Sequence, residues 1–169
     1  NEKLNRQTCL NCEHRICIGK NRNTGIRFSM EKYDIQSLLS EINQVKDFFF
    51  DGGGITLSGG EPTLQFDQCL YLLKELRKSG INTAIETNGS HPRLKELFPY
   101  LNHVIIDWKH WDPDTHFSRV KYSNEMVLRN IEASRNAESN TLIRVTLIPG
   151  FNDGLNNIRE FIKTIKRMK

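Results

Sequence analysis

Four short β-prone runs separated by segments with helical spacing constrain this fold more than any other property of the chain. The runs lie at 55–58, 83–87, 103–109 and 142–148. With Val104-Ile105-Ile106 and Leu142-Ile143 in them, the later runs are near-continuously apolar, which is how strands covered on both faces read. Strand, helix, strand, helix in that order leads to a parallel sheet clothed by helices, an α/β fold. The first expected helix is 34–47, with Ile35, Leu38, Leu39, Ile42 and Val45 on one stripe behind Asp34 as a cap. The second is 67–78, with Leu70, Leu72, Leu73 and Leu76 and a stop at Gly80. Helices are expected also at 93–100, at 124–137 and at 155–168, the last with Ile158, Phe161, Ile162 and Ile165 on one face. Cys69 falls inside the second helical pattern and reads as a small core residue.

Residues 1–33 lack periodicity and are polar, with Cys9, Cys12 and Cys17 close together, so the chain divides into a cysteine-bearing segment, 1–33, and an α/β body, 34–169. Three clustered thiols suggest metal more than disulfides. A chain that starts at Asn and meets cysteines at once is expected to begin at a cut end. With 37% hydrophobic against 26% charged residues, one core of ordinary size is within reach. The net charge of +4 is too weak to argue for nucleic acid or a membrane surface. No apolar run approaches the roughly 18 residues that span a bilayer, and the polar start does not read as a signal peptide. A soluble, cytoplasmic protein is the expectation.

In open parallel sheets, ligands bind outside the carboxyl ends of the strands. Here the polar residues gather at those ends: Ser58-Gly59-Gly60-Glu61, Glu86-Thr87-Asn88-Gly89, Asp107-Trp108-Lys109 and Pro149-Gly150-Phe151-Asn152-Asp153. Glycines in the first loop let a ligand approach the backbone closely, and Glu61 adds an acceptor or a structural anchor. The bland reading of the same loop is a tight strand-to-helix turn. A Walker phosphate loop is excluded, because no segment fits G-x-x-x-x-G-K-[ST]. Without it, the likeness of 57–61 to the signature loop of ABC-type ATPases is only a remote alternative.

Taken together, the run 52–65 (Gly-Gly-Gly-Ile-Thr-Leu-Ser-Gly-Gly-Glu-Pro-Thr-Leu-Gln), Thr87-Asn88-Gly89, Asp107-Trp108-Lys109 and the stretch 143–153 resemble the glycyl-radical-enzyme activating enzymes. These are radical S-adenosylmethionine proteins of the pyruvate formate-lyase activase type. The resemblance covers nearly everything from Asp34 onward. It implies a partial parallel (β/α)6-type barrel, about four of whose strands are present, binding S-adenosylmethionine at its open strand ends beside a [4Fe-4S] cluster. It implies an oxygen-sensitive, anaerobic oxidoreductase that reductively cleaves S-adenosylmethionine and generates a glycyl radical on a partner enzyme. An electron donor such as flavodoxin or ferredoxin is implied as well.

Carried onto this sequence, the resemblance assigns Gly59, Gly60 and Glu61 to the methionyl amino group. Asp107 and Lys109 suit a sulfonium or metal ion and the ribose or carboxylate oxygens, with Trp108 flanking them by backbone contact or packing. Thr87, Glu86, the Ile105 carbonyl and Asp107 match positions that some relatives use for a monovalent cation. Arg144 lies where the nucleoside would sit, or else pairs with a rim carboxylate. The family's cysteine triad, C-x3-C-x2-C, is not among these 169 residues. Cys9, Cys12 and Cys17, spaced C-x2-C-x4-C, resemble instead the tail of a ferredoxin-like insert that holds auxiliary clusters. A non-catalytic fragment retaining part of the S-adenosylmethionine site is the second reading, and on either reading this chain is expected to be inactive alone.

Overall fold

The structure, a computed structural model, describes residues 32–168. The chain divides into two units, Asn1–Asp34 and Ile35–Lys169, and the sheet with its helices belongs to the second. Cys9, Cys12 and Cys17 lie outside the described residues.

Four strands, β1 (Gly54–Leu57), β2 (Asn82–Thr87), β3 (His103–Asp107) and β4 (Asn140–Arg144), form one sheet in the order β1-β2-β3-β4, every pair parallel. The helices are α1 (Ile35–Val45), α2 (Phe66–Lys78), α3 (Pro113–Val120), α4 (Glu125–Ser134) and α5 (Leu155–Arg167). Side chains of one parity in β2 and β3, Ile85, Val104 and Ile106, are sealed in a core with Leu73 of α2, Val127 and Ile131 of α4 and Phe161 of α5. A smaller cluster packs α1 against α2 through Ile42, Leu72 and Leu76. The other parity, Glu86, Ile105 and Asp107, is half-buried on the far face of the sheet, because successive strand residues point to opposite sides. That alternation delivers the charged residues of three strand ends to one surface.

Several expected elements differ in extent, each for a local reason. The helix expected at 93–100 is two single 3-10 turns, Leu94–Glu96 and Phe98–Tyr100; Pro99 has no N–H to extend a helix. Helix 34–47 tightens into a 3-10 turn at Lys46–Phe49, and helix 124–137 ends at Ser134. The third strand stops at Asp107, and the fourth begins at Asn140 and stops at Arg144 rather than reaching Ile148. Beyond it, the Thr146 carbonyl and the Ile148 N–H are taken by the Asn152 side chain, at 2.9 and 2.6 Å, so they have no need of a neighbouring strand. In α5, Phe161 is buried, while Ile162, expected beside it, is exposed.

Helix α3 was not expected, although its start is written in Asp112-Pro113. The Asp112 carboxylate accepts from the Thr115 N–H at 2.8 Å, and Pro113 occupies the first turn, where its missing N–H costs nothing. It ends at Lys121 in the left-handed region (φ 68°), whose N–H bonds back to the Phe117 carbonyl. Cys69 is buried as expected, its thiol donating to the Pro62 carbonyl at 3.0 Å.

Candidate functional site

At the carboxyl ends of the strands the loops are fastened before any ligand is considered. Glu61 sits where β1 gives way to the turn Pro62–Gln65, and its carboxylate is the cap of that turn. Oε1 accepts from the Thr63 N–H at 3.2 Å, the Thr63 hydroxyl at 2.6 Å and the Thr87 hydroxyl at 2.7 Å, while Oε2 accepts from the Asn88 N–H at 2.8 Å. Four donors from two strand ends therefore converge on one side chain. Of the two uses foreseen for Glu61, acceptor for a ligand or anchor, the geometry is that of an anchor. Thr87 is likewise committed, since its oxygen also accepts from the Gly89 N–H at 3.1 Å.

Gly59 and Gly60 stand clear of these bonds. Gly59 has φ +109°, a conformation that favours glycine, and a Cβ built at either residue would meet no atom within 4 Å. The space in front of the two glycines is open.

Across that space lies a network of four charges. Lys109 Nζ donates to Asp107 Oδ2 at 2.7 Å, Arg144 Nε donates to Asp107 Oδ1 at 2.6 Å, and Arg144 Nη2 reaches Glu86 Oε2 at 3.2 Å. The sheet brings them together by register: Asp107 is paired directly with Arg144, and Glu86 with Ile105, one same-face step before Asp107. Burial pushes the Asp107 carboxyl up, but the hydrogen bonds from Arg144 and Lys109 outweigh it and hold it below the usual carboxylate range. The same bond from Asp107, with that from Glu86, holds Arg144 above its ordinary value.

A cavity of about 340 Å³ is bounded by the two glycines, this network, and Val120 and Tyr122 at the end of α3. Burial and the nearby carboxylates of Glu61 and Asp107 push the Tyr122 phenol up, so it stays protonated at neutral pH. A larger groove, about 1020 Å³, lies at the amino ends of the strands near Asn82, His103 and Asn140. The rim is the better site because charges of both signs converge there on open backbone, and because parallel sheets present their loops at that end.

Most of the residues singled out by sequence are therefore brought to one rim: Gly59, Gly60, Glu61, Thr87, Asp107, Lys109 and Arg144. Trp108 is not on it. Its ring is fully buried, edge-on to Phe161 at 4.8 Å, with the indole N–H unpartnered, while its backbone N–H bonds to the Arg144 carbonyl at 2.9 Å, so its part is packing. Arg144 takes the second of its two expected places, paired with rim carboxylates. Val120 and Tyr122 were missed along with α3; the Asp112-Pro113 cap would have revealed the helix, but nothing in the sequence says that its end overhangs the site. Among the described residues, no group of His, Cys, Asp and Glu side chains is arranged to hold a metal ion.

The sequence model of the family described as the Radical SAM superfamily matches residues 11–164 of this chain. The (2S)-3-sulfopropanediol dehydratase activating enzyme of Klebsiella oxytoca is 31% identical over 158 residues, 92% of this chain and 49% of that enzyme. The isethionate sulfite-lyase activating enzyme of Nitratidesulfovibrio vulgaris is 35% identical over 156 residues, 89% of this chain and 50% of that enzyme. A solved domain of the pyruvate-formate lyase-activating enzyme of Bacteroides vulgatus aligns with a TM-score of 0.60 and 30% identity, over 67% of this chain and 71% of that one. The chain spans about half the length of the curated relatives it matches.

Proposed function

Because the chain belongs to the radical SAM superfamily, we propose that its rim holds S-adenosylmethionine and that the whole protein is an activating enzyme that installs a glycyl radical on a partner enzyme. The four-stranded sheet is a part of the barrel that this family builds. The observation that carries the proposal is the convergence of Glu86, Asp107, Lys109 and Arg144 on the open backbone of Gly59 and Gly60. S-adenosylmethionine bears an ammonium, a carboxylate and a sulfonium, so it needs acceptors, donors and negative charge within a few ångströms of each other. This rim has all three. When bound, S-adenosylmethionine supplies a carbon–sulfur bond that a single electron can cleave.

The chain's own residues bind and orient. The backbone at Gly59 and Gly60 receives the ammonium, Lys109 meets the carboxylate, and Asp107 offsets the positive charge. Glu61 acts at one remove by keeping the glycine loop on the end of β2. A monovalent cation among Glu86, Thr87, the Ile105 carbonyl and Asp107 does not fit this arrangement, since the Arg144 guanidinium already bridges the two carboxylates. We assign that positive charge to Arg144.

Nor do the described residues fit an iron–sulfur cluster. Cys69 is the one free thiol among them; it is buried, and burial pushes its pKa up, away from the thiolate that binds iron. The cluster beside S-adenosylmethionine is proposed to rest on a C-x3-C-x2-C triad outside these 169 residues, and Cys9, Cys12 and Cys17 to serve an auxiliary cluster. Cys12→Ser in the protein with its triad should then lower iron content without abolishing it. A cytoplasmic, anaerobic setting and a flavodoxin or ferredoxin as electron donor complete the proposal.

The deciding experiment is anaerobic reconstitution of the protein carrying the triad, followed by assay for 5′-deoxyadenosine and for the glycyl radical by electron paramagnetic resonance. Formation of both with a glycyl radical enzyme supports the reading. S-adenosylmethionine binding without either product leaves the non-catalytic reading in its place.

A further inference from the structure

Among the described residues, three asparagines are buried at the carboxyl ends of the strands, Asn124, Asn130 and Asn152. Each donates its amide hydrogens to two backbone carbonyls of the loops there. Asn130 holds Gly89 and His91 at 2.8 and 2.9 Å, Asn124 holds His110 and Trp111 at 2.9 and 2.8 Å, and Asn152 holds Lys109 and Thr146 at 2.8 and 2.9 Å. Carbonyls accept and never donate, so in each case the amide nitrogen must be the end that faces them.

Asn152 differs from the other two in what it grips. Its oxygen accepts from the Ile148 N–H at 2.6 Å, closing the loop 146–152 on itself, and its nitrogen reaches across to the backbone of a residue whose side chain is in the charged network. β3 keeps its ladder to the Trp108 N–H, which bonds to the Arg144 carbonyl. One residue later the chain has left the sheet, and the Asn152 amide takes over. Lys109 Nζ, 2.7 Å from Asp107, is the free end of a long, rotamer-rich side chain, so its position depends on a fixed backbone. From this we propose that Asn152 is a positioning residue: by clamping the Lys109 carbonyl it aims the ammonium at the carboxylate of the bound ligand. The ligand's identity rests on the function proposed above; the clamp itself does not.

Asn152→Ala removes the clamp, and Asn152→Ser, which keeps one donor, serves in its place if the alanine variant does not fold. Thr83→Val is the control for stability alone; it deletes a buried hydroxyl bonded to the Tyr100 carbonyl at 2.6 Å, at the opposite end of β2. Calorimetric titration with S-adenosylmethionine and with its decarboxylated analogue reads the effect. In the Asn152 variant, affinity for S-adenosylmethionine falls about tenfold or more, affinity for the analogue is unchanged, and the variant adds nothing in a Lys109→Met background. Thr83→Val lowers the melting temperature and changes neither affinity. Equal loss for both ligands, or none, overturns the proposal. The nuclear magnetic resonance signal of the Lys109 ammonium reads the clamp without any ligand. If the wild-type chain binds no S-adenosylmethionine, yet this signal collapses to the solvent-averaged value only in the Asn152 variant, the proposed function fails and the clamp stands; an unmoved signal refutes the clamp.

Discussion

Asp107 and Arg144 face one another across the β3–β4 register, and the Arg144 Nε–H closes the pair at 2.6 Å on Asp107 Oδ1. Their proximity is set by the backbone ladder, not by a search of two long side chains, so the ion pair forms wherever the sheet forms. Glu86 on one side and Lys109 on the other extend it into a chain of alternating charge.

Stability linked to Asp107 is present above about pH 4, the ordinary carboxylate value of an unfolded chain. Its folded value is lower, so that stability fades as pH falls through it. Asp107→Asn should cost at most about 1 kcal/mol near neutral pH, because solvent at the rim screens the pairs. Urea unfolding from pH 7 down to pH 3 should show the wild-type and variant curves converging in acid; a gap that stays constant with pH would mean that the ion pairs contribute nothing.

Glu61→Ala strips four donors of their shared acceptor and should destabilise the domain by about 1–3 kcal/mol. Glu61→Gln should do nearly as badly if its amide nitrogen is forced against the Asn88 N–H. Thermal melts of both variants test the anchor, and an unchanged melting temperature in Glu61→Ala rejects it.

Two glycines of the rim separate folding from binding. At Gly89, with φ +71°, an added Cβ would lie 2.7 Å from Ile106 Cγ2, so Gly89→Ala should lose about 1–3 kcal/mol of stability. At Gly60 an added Cβ meets open space. Gly60→Val should therefore melt with the wild type while weakening S-adenosylmethionine binding, and retained affinity there would move the ligand elsewhere.

His116 is buried with its Nδ1 2.8 Å from the Tyr122 carbonyl, which requires a proton on that nitrogen. Burial, opposed by that bond and reinforced by His110 and Lys109, pushes its pKa down. The stability it contributes is complete above about pH 6.5, the unfolded value, and is lost as pH falls through the folded one. Denaturation midpoints should rise with pH up to about 6.5 and level off above it, and His116→Gln should flatten the rise.

The number and direction of the strands were legible because the runs are β-prone and the segments between them carry helical spacing, even where that spacing forms only 3-10 turns, as between β2 and β3. Charged residues at the strand ends were legible too: D-x-K spacing sends both side chains the same way, and they pair although β3 itself ends at Asp107. What could not be read was which partner each group would choose. Glu61 is drawn inward by Thr63, Thr87 and Asn88, and the last two lie more than twenty residues away in sequence. β4 ends early where β3 ends beside it, at the Asp107–Arg144 pair, and Asn152 takes up backbone groups of Thr146 and Ile148 beyond; Tyr122 reaches the cavity only through the placement of α3. Pairing at a distance, unlike periodicity, leaves no mark in the local sequence.

The charged network also has a consequence for selectivity. Within the network Glu86 and Asp107 are balanced by Lys109 and Arg144, and Glu61, the remaining carboxylate of the rim, is turned onto its four neutral donors. Any ligand that enters must exchange partners with ion pairs that already exist. A simple anion frees a carboxylate that it cannot satisfy, and a simple cation strands an ammonium or guanidinium in the same way. A molecule that brings both signs at the right separation replaces each broken contact with another. Such a network discriminates by the arrangement of charge within the ligand rather than by its amount alone.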